Sequence, residues 1–170
     1  PVDPRSRVAS LIAAVAGDGW NALPMGAFSY QLVLPADDIV IDAALNAEQG
    51  KGLNTRVDED AYARMETALE NATLIIVTHE HGDHIGGISA FNEPELIRKA
   101  LRLTPEQYEH AMGYGTIWTG ALADYTPFDY DGTLTIAPGV VLIRAPGHTP
   151  GSQMIYVKRE DGRELLFVGD

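Results

Sequence analysis

Cysteine is absent from the 170 residues. That excludes a disulfide framework, a zinc–thiolate knuckle and a cysteine nucleophile. Positive charge is scarce: 12 Lys and Arg stand against 24 Asp and Glu, for a net charge of −12. Such a surface repels phosphate backbones and anionic membranes, so neither nucleic acid nor a bilayer is the expected partner. Long apolar runs are missing too. Residues 8–16 form the longest apolar stretch near the start, Ser10 interrupts it, and it is far too short to span a membrane. Val8, Leu11, Ile12 and Val15 follow a helical stripe that Gly17 ends, so an opening helix is expected there. Arg5 and Arg7 imitate the start of a signal peptide only loosely. The compartment stays open, with the cytoplasm as the default expectation, and oligomeric state is not legible in the pattern.

The chain is 45% apolar, which is enough for a substantial core in one domain. No internal repeat, low-complexity tract or linker divides residues 1–170. Strands are expected at residues 30–34 and 38–42, a loop from 46 to 54, and a helix over 58–69 with Asp58 as its cap. Residues 74–77, Leu-Ile-Ile-Val, suit a strand buried on both faces and lead straight into Thr78-His79. Helices are expected over 94–101 and from Thr104-Pro105-Glu106-Gln107, which offers a cap, a first-turn proline and a capping-box glutamine. From Gly132 onward the pattern turns to strands at 133–136, 140–144, 154–157 and 165–168, with Asp161-Gly162 turning a hairpin between the last two. The chain opens on Pro1 rather than Met and stops at Gly169-Asp170 after a strand, so it is expected to be part of a longer protein.

Three of the five histidines fall within Thr78-His79-Glu80-His81-Gly82-Asp83-His84-Ile85-Gly86-Gly87. From composition, His-x-His-x-Asp-His would arise in roughly 3 of 10,000 such chains. In extended backbone, residues two apart share a side, so His79 and His81 can address one ion. Gly82 permits a sharp turn, after which Asp83 and His84 can address a second point nearby. Imidazole with carboxylate suits zinc, iron or manganese, whereas calcium and magnesium prefer oxygen alone. Two neighbouring ions are an arrangement used for hydrolysis. His148 sits in Ala145-Pro146-Gly147-His148-Thr149-Pro150-Gly151-Ser152, a stiff loop that can hold one side chain in place. Asp170 ends a strand and can bridge two cations, and Asp42 ends another and can orient a ligand.

Together these pieces resemble the metallo-β-lactamase superfamily: the strand-end Asp42, the Thr-His-x-His-x-Asp-His-x-Gly-Gly segment, the Pro-Gly-His-Thr-Pro-Gly-Ser loop and the late Gly-Asp. The resemblance implies an α+β fold, a four-layer αβ/βα sandwich that is incomplete in this chain, with metals at one edge. It implies that His79, His81 and His148 hold a first metal, that Asp83 and His84 hold a second, and that Asp170 bridges the two. Members supply one more histidine downstream, where this chain has already stopped. The absent Cys excludes the cysteine-ligand β-lactamases, and His81 stands where flavin-linked di-iron members carry Glu. An Asp in the bridging place looks like the glyoxalase II, lactonase and related ester-hydrolase branches.

The expected function is therefore metal-dependent hydrolysis of a small ester, lactone or thioester. Two divalent ions, with zinc ahead of iron or manganese, would hold the attacking hydroxide, and Asp83 would take or relay a proton. Two other readings compete: a mononuclear iron sulfur dioxygenase of the same fold, using His79, His81 and His148, and a catalytically silent fragment. Asp42 stands equally between a partner to a ligand and an ordinary strand end. Glu80 is expected to point away from its neighbours with no catalytic role, and His110 to lie on a helix surface. The segment 91–131 is expected to form part of the substrate cleft, and its aromatics (Tyr108, Tyr114, Trp118, Tyr125, Phe128, Tyr130) to suggest a partly apolar substrate, against the commoner reading that such aromatics are core.

Overall fold

A computed structural model describes residues 26–51 and 56–170. The opening helix expected over residues 8–17 lies outside the described residues. β1 (Tyr30–Val33) pairs antiparallel with β2 (Asp38–Ile41), and β2 pairs parallel with β3 (Leu74–Ile76), so β2 is the centre of a three-stranded sheet. Parallel pairing needs a crossover, supplied here by α1 (Ala47–Gly50) and α2 (Glu59–Asn71). Asp58 caps α2 by accepting the Ala61 amide at 2.9 Å. Met65, Ala68 and Leu69 are the buried side of α2, at the three- and four-residue spacing of one helix face.

Two expectations are corrected in this region. Within residues 46–54, expected to be a loop, Asn46 and Gln49 form a reciprocal capping box that closes the single turn α1. At Gly82 the backbone does not turn sharply; it enters α3 (Gly82–Ser89), with His81 as the N-cap. Glycine is a poor helix former, yet here close packing dominates. A Cβ at Gly87 would lie 2.7 Å from Met65 Cε and 2.8 Å from the Ala44 carbonyl oxygen. α4 (Pro94–Ala100) and α5 (Pro105–Ala111) follow, and α5 begins with the Thr104–Gln107 capping box that its sequence announces.

The second sheet is antiparallel throughout, in the order β4 (Thr133–Ala137), β5 (Val140–Arg144), β6 (Gln153–Lys158), β7 (Glu164–Phe167). Strand alternation divides the core in two. Val40, Ile75 and Val77 pack against the helices. Ile39, Ile41 and Ile76 face Val140, Leu142, Ile155 and Val157 across the space between the sheets. The architecture is thus α+β: helices, then two sheets packed face to face. On the far side of the second sheet Val141, Ile143, Met154 and Tyr156 are half-buried and Leu166 is exposed. Among the described residues no helix is long and apolar enough to cross a membrane.

Candidate metal centre

β2 and β3 run parallel, so their C-terminal ends emerge side by side. There Asp42, with left-handed backbone (φ 59°), turns its carboxylate onto the next strand. Its Oδ1 accepts the Thr78 amide at 2.6 Å, and its Oδ2 accepts the Thr78 hydroxyl at 2.9 Å and lies 2.9 Å from His84 Nδ1. His84 Nδ1–H therefore points at Asp42, which leaves the Nε2 lone pair for the opposite side of the ring. Of the two readings open for Asp42, the structure matches the partner to a histidine.

Two groups of side chains converge, each with ligand atoms within 4.8 Å of one another: His79, His81 and His148, and His79, His84 and Asp170. In the first, His81 Nδ1 lies 3.0 Å from His79 Nε2 and 3.0 Å from His148 Nε2. Asp170 spans both groups. Its Oδ1 is 3.3 Å from His84 Nε2 and its Oδ2 is 3.9 Å from His148 Nε2. Gly169 makes this approach possible: its φ is +69°, and a Cβ there would sit 3.0 Å from Thr78 Cβ. Asp83 belongs to neither tight group. It is 47% exposed, and its Oδ2 stands 3.8 Å from His84 Nε2.

The electrostatics favour the neutral imidazole at two members of the first group, His79 and His81. Burial, with His84, His81 and His148 as neighbours, lowers the pKa of His79 from 6.5 to about 3. Burial and His148 also lower that of His81. For His84, burial pulls the pKa down, but the hydrogen bond and charge of Asp42, with the charges of Asp83 and Asp170, outweigh it, and the net shift is upward. Imidazole nitrogens facing one another at 3.0 Å, beside carboxylates and without thiolate, form a donor set that suits zinc, iron or manganese.

The loop bearing His148 is fixed from below. Glu80 is fully buried and turned away from the imidazoles, as strand alternation predicts. Its Oε1 accepts the Gly151 amide at 3.1 Å and its Oε2 the Thr149 hydroxyl at 2.8 Å. Gln107 Nε2 donates to the Gly151 carbonyl at 2.9 Å and to the Val77 carbonyl at 3.1 Å. Gln153 Nε2 donates to the same Val77 oxygen at 2.7 Å, and the Gln153 amide donates to Thr78 O at 2.8 Å. These polar residues tie the two sheets together directly beneath the site. Gln107 is visible in the sequence only as a capping residue, and Gln153 carries no local signal.

The sequence profile of the metallo-beta-lactamase superfamily matches residues 24–170. The chain belongs to this superfamily. An N-acyl homoserine lactonase from Bacillus sp. is 32% identical over 127 residues, covering 72% of this chain and 49% of the relative. A probable metallo-hydrolase of Mycobacterium tuberculosis is 28% identical over 188 residues, covering 88% of this chain and 58% of the relative. The chain thus spans about half the length of these relatives. Among solved structures, a quorum-quenching N-acyl homoserine lactone lactonase superposes with a TM-score of 0.64 at 23% identity, covering 85% of this chain and 63% of that one. An N-acyl homoserine lactone hydrolase, with the product N-hexanoyl-L-homoserine at its catalytic metal center, superposes at 0.62 with 21% identity, covering 85% and 66%.

Of the two readings open for the aromatics of residues 91–131, core and cleft, five of the six side chains match the core. Tyr108, Trp118 and Tyr125 pack into the helix-side core, and Phe128 and Tyr130 pack against the inter-sheet core. Tyr114 alone of the six reaches the metal centre, its ring edge-on to His81 with centroids 4.2 Å apart. His110 lies on α5, where its Nδ1 is 2.8 Å from the Glu106 carbonyl oxygen, away from the site.

Proposed function

We propose that this chain carries the metal-binding portion of a hydrolase that opens a small lactone, ester or thioester, with N-acyl homoserine lactones as the first substrates to test. The observation behind this reading is the position of Asp170, one oxygen toward His84 and the other toward His148. In this reading His79 Nε2, His81 Nδ1 and His148 Nε2 hold one divalent ion, Asp83 and His84 hold a second, and Asp170 stands between them. Such ions supply a water acidic enough to lose its proton near neutral pH and a Lewis acid for the carbonyl oxygen. The protein orients that chemistry. Asp42 keeps the proton of His84 on Nδ1, Glu80 holds the loop of His148, and Asp83 is exposed enough to take a proton and pass it to solvent.

Metal analysis together with a panel of lactones, esters, thioesters and β-lactams tests the reading. Two zinc ions per chain, with lactone or ester hydrolysis that a chelator abolishes and zinc restores, are expected. One iron per chain, with oxygen consumption on a thiol or persulfide substrate, would overturn it in favour of a mononuclear dioxygenase. That second reading draws on the position of Asp83 outside both tight groups.

A further inference from the structure

Glu80 lies between two histidines of the candidate first site, and its own carboxylate is spent elsewhere. A buried carboxylate is costly unless its oxygens are hydrogen-bonded. Here both oxygens go to a single loop about seventy residues further along: Oε2 to the Thr149 hydroxyl and Oε1 to the Gly151 amide. Thr149 directly follows His148. Gly151 is gripped from its other side by Gln107 Nε2. A Cβ at Gly151 would lie 2.6 Å from Gln107 Cγ and 2.9 Å from the Gln107 amide nitrogen, so the loop is pressed onto this clamp with no room to spare.

We propose that Glu80 is a positioning residue: its buried carboxylate sets the height and direction of the His148 loop, and so brings His148 Nε2 to His79 and His81. The proposal rests on the reading of His148 as a metal ligand. Glu80 makes no contact with the ion and takes no part in proton transfer. Glutamine can replace it. The amide oxygen accepts from Gly151, and the amide nitrogen donates to the Thr149 hydroxyl, which then donates to Ser152 Oγ, 2.9 Å away.

Zinc affinity of the metal-free 170-residue chain, measured by competition with a chromophoric chelator, tests this. Glu80→Ala should weaken the tightest zinc by about tenfold or more, the usual cost of losing a residue that orients a ligand. Glu80→Gln should recover most of that loss. In a double-mutant cycle with His148→Ala, the Glu80→Ala effect should vanish, because the loop then carries no ligand to position. Thr149→Val, which removes one of the two anchors and leaves the carboxylate paired with Gly151, should weaken zinc to an intermediate degree and serves if Glu80→Ala does not fold. Wild-type affinity in Glu80→Ala and Thr149→Val, an effect that persists in the His148→Ala background, or a glutamine variant as weak as alanine overturns the proposal alone. A wild-type chain that binds no zinc overturns the metal reading and this proposal with it.

Discussion

Asp42 Oδ2 stands 2.9 Å from His84 Nδ1, although the two residues are 42 positions apart and neither is exposed. The contact decides which nitrogen of His84 keeps its proton. The same carboxylate receives the Thr78 amide and hydroxyl, so one side chain fixes the end of β3, the rotamer of Thr78 and the tautomer of His84.

Asp42→Asn replaces one acceptor oxygen with an N–H donor. With the amide oxygen kept on the Thr78 amide, the NH2 group faces His84 Nδ1 and forces the ring proton onto Nε2, into the site. Zinc binding at the His84 side should weaken by about 10- to 100-fold. Chelator competition measures the loss, and long-range 15N–1H spectra of the metal-free protein should show His84 changing tautomer. Unchanged spectra would contradict the assignment.

Gly151→Ala tests the grip on the loop by overfilling it. The added methyl collides with the Glu80 carboxylate and with Gln107, including the Gln107 backbone. Overpacking of this kind costs about 1–3 kcal/mol. A drop in the urea midpoint with an unchanged m-value is expected. The first zinc should weaken in parallel.

Zinc should stabilise the fold, since a collected ligand set exists only in the native state. At about 100 times Kd the gain is about 2.7 kcal/mol, or roughly 5–10 °C in melting temperature for a chain of this size. His79→Ala should remove most of that shift, because His79 belongs to both groups. An undiminished shift in the variant would place the zinc elsewhere.

Alkaline pH provides a test that rests on a group outside the histidine cluster. Burial raises the phenol of Tyr130 from 10.0 to about 12, against the lowering effect of Arg144. Between pH 10 and 12 the unfolded chain releases this proton while the folded chain keeps it, so stability falls as pH rises through that window. Tyr130→Phe lacks the proton and should lose less stability between pH 9 and 11 than wild type. The phenylalanine variant starts lower, having lost the 2.7 Å bond to Gln153 Oε1. Parallel stability curves would show that Tyr130 titrates alike in both states.

The candidate site was legible because its chemistry is local: His79, His81, Asp83 and His84 form a rare pattern, and His148 and Asp170 stand in their own short signatures. Strands were legible where both faces are apolar, as in Leu74–Ile76. Helix α3 was hidden because Gly86 answers to Leu45 and Gln49, and Gly87 to Met65 and Ala44, residues that no local pattern connects to it. Glu80, Gln107 and Gln153 were hidden for the same reason, since their partners lie 30 to 76 positions away. The aromatics allowed both a core and a cleft reading because a tyrosine with a satisfied hydroxyl packs as well as phenylalanine: Tyr125 donates to Leu101 O and accepts the Leu103 amide inside the core.

The parallel pairing of Ile41 with Ile76 has one more consequence. If β2 slipped by a single position, Ile41 would stand where Asp42 belongs and its sec-butyl group would meet the Thr78 amide. The same slip would turn the inter-sheet isoleucines toward the helices. A mispaired chain thus forfeits packing and chemistry in one move, and the sheet proofreads the site while it forms.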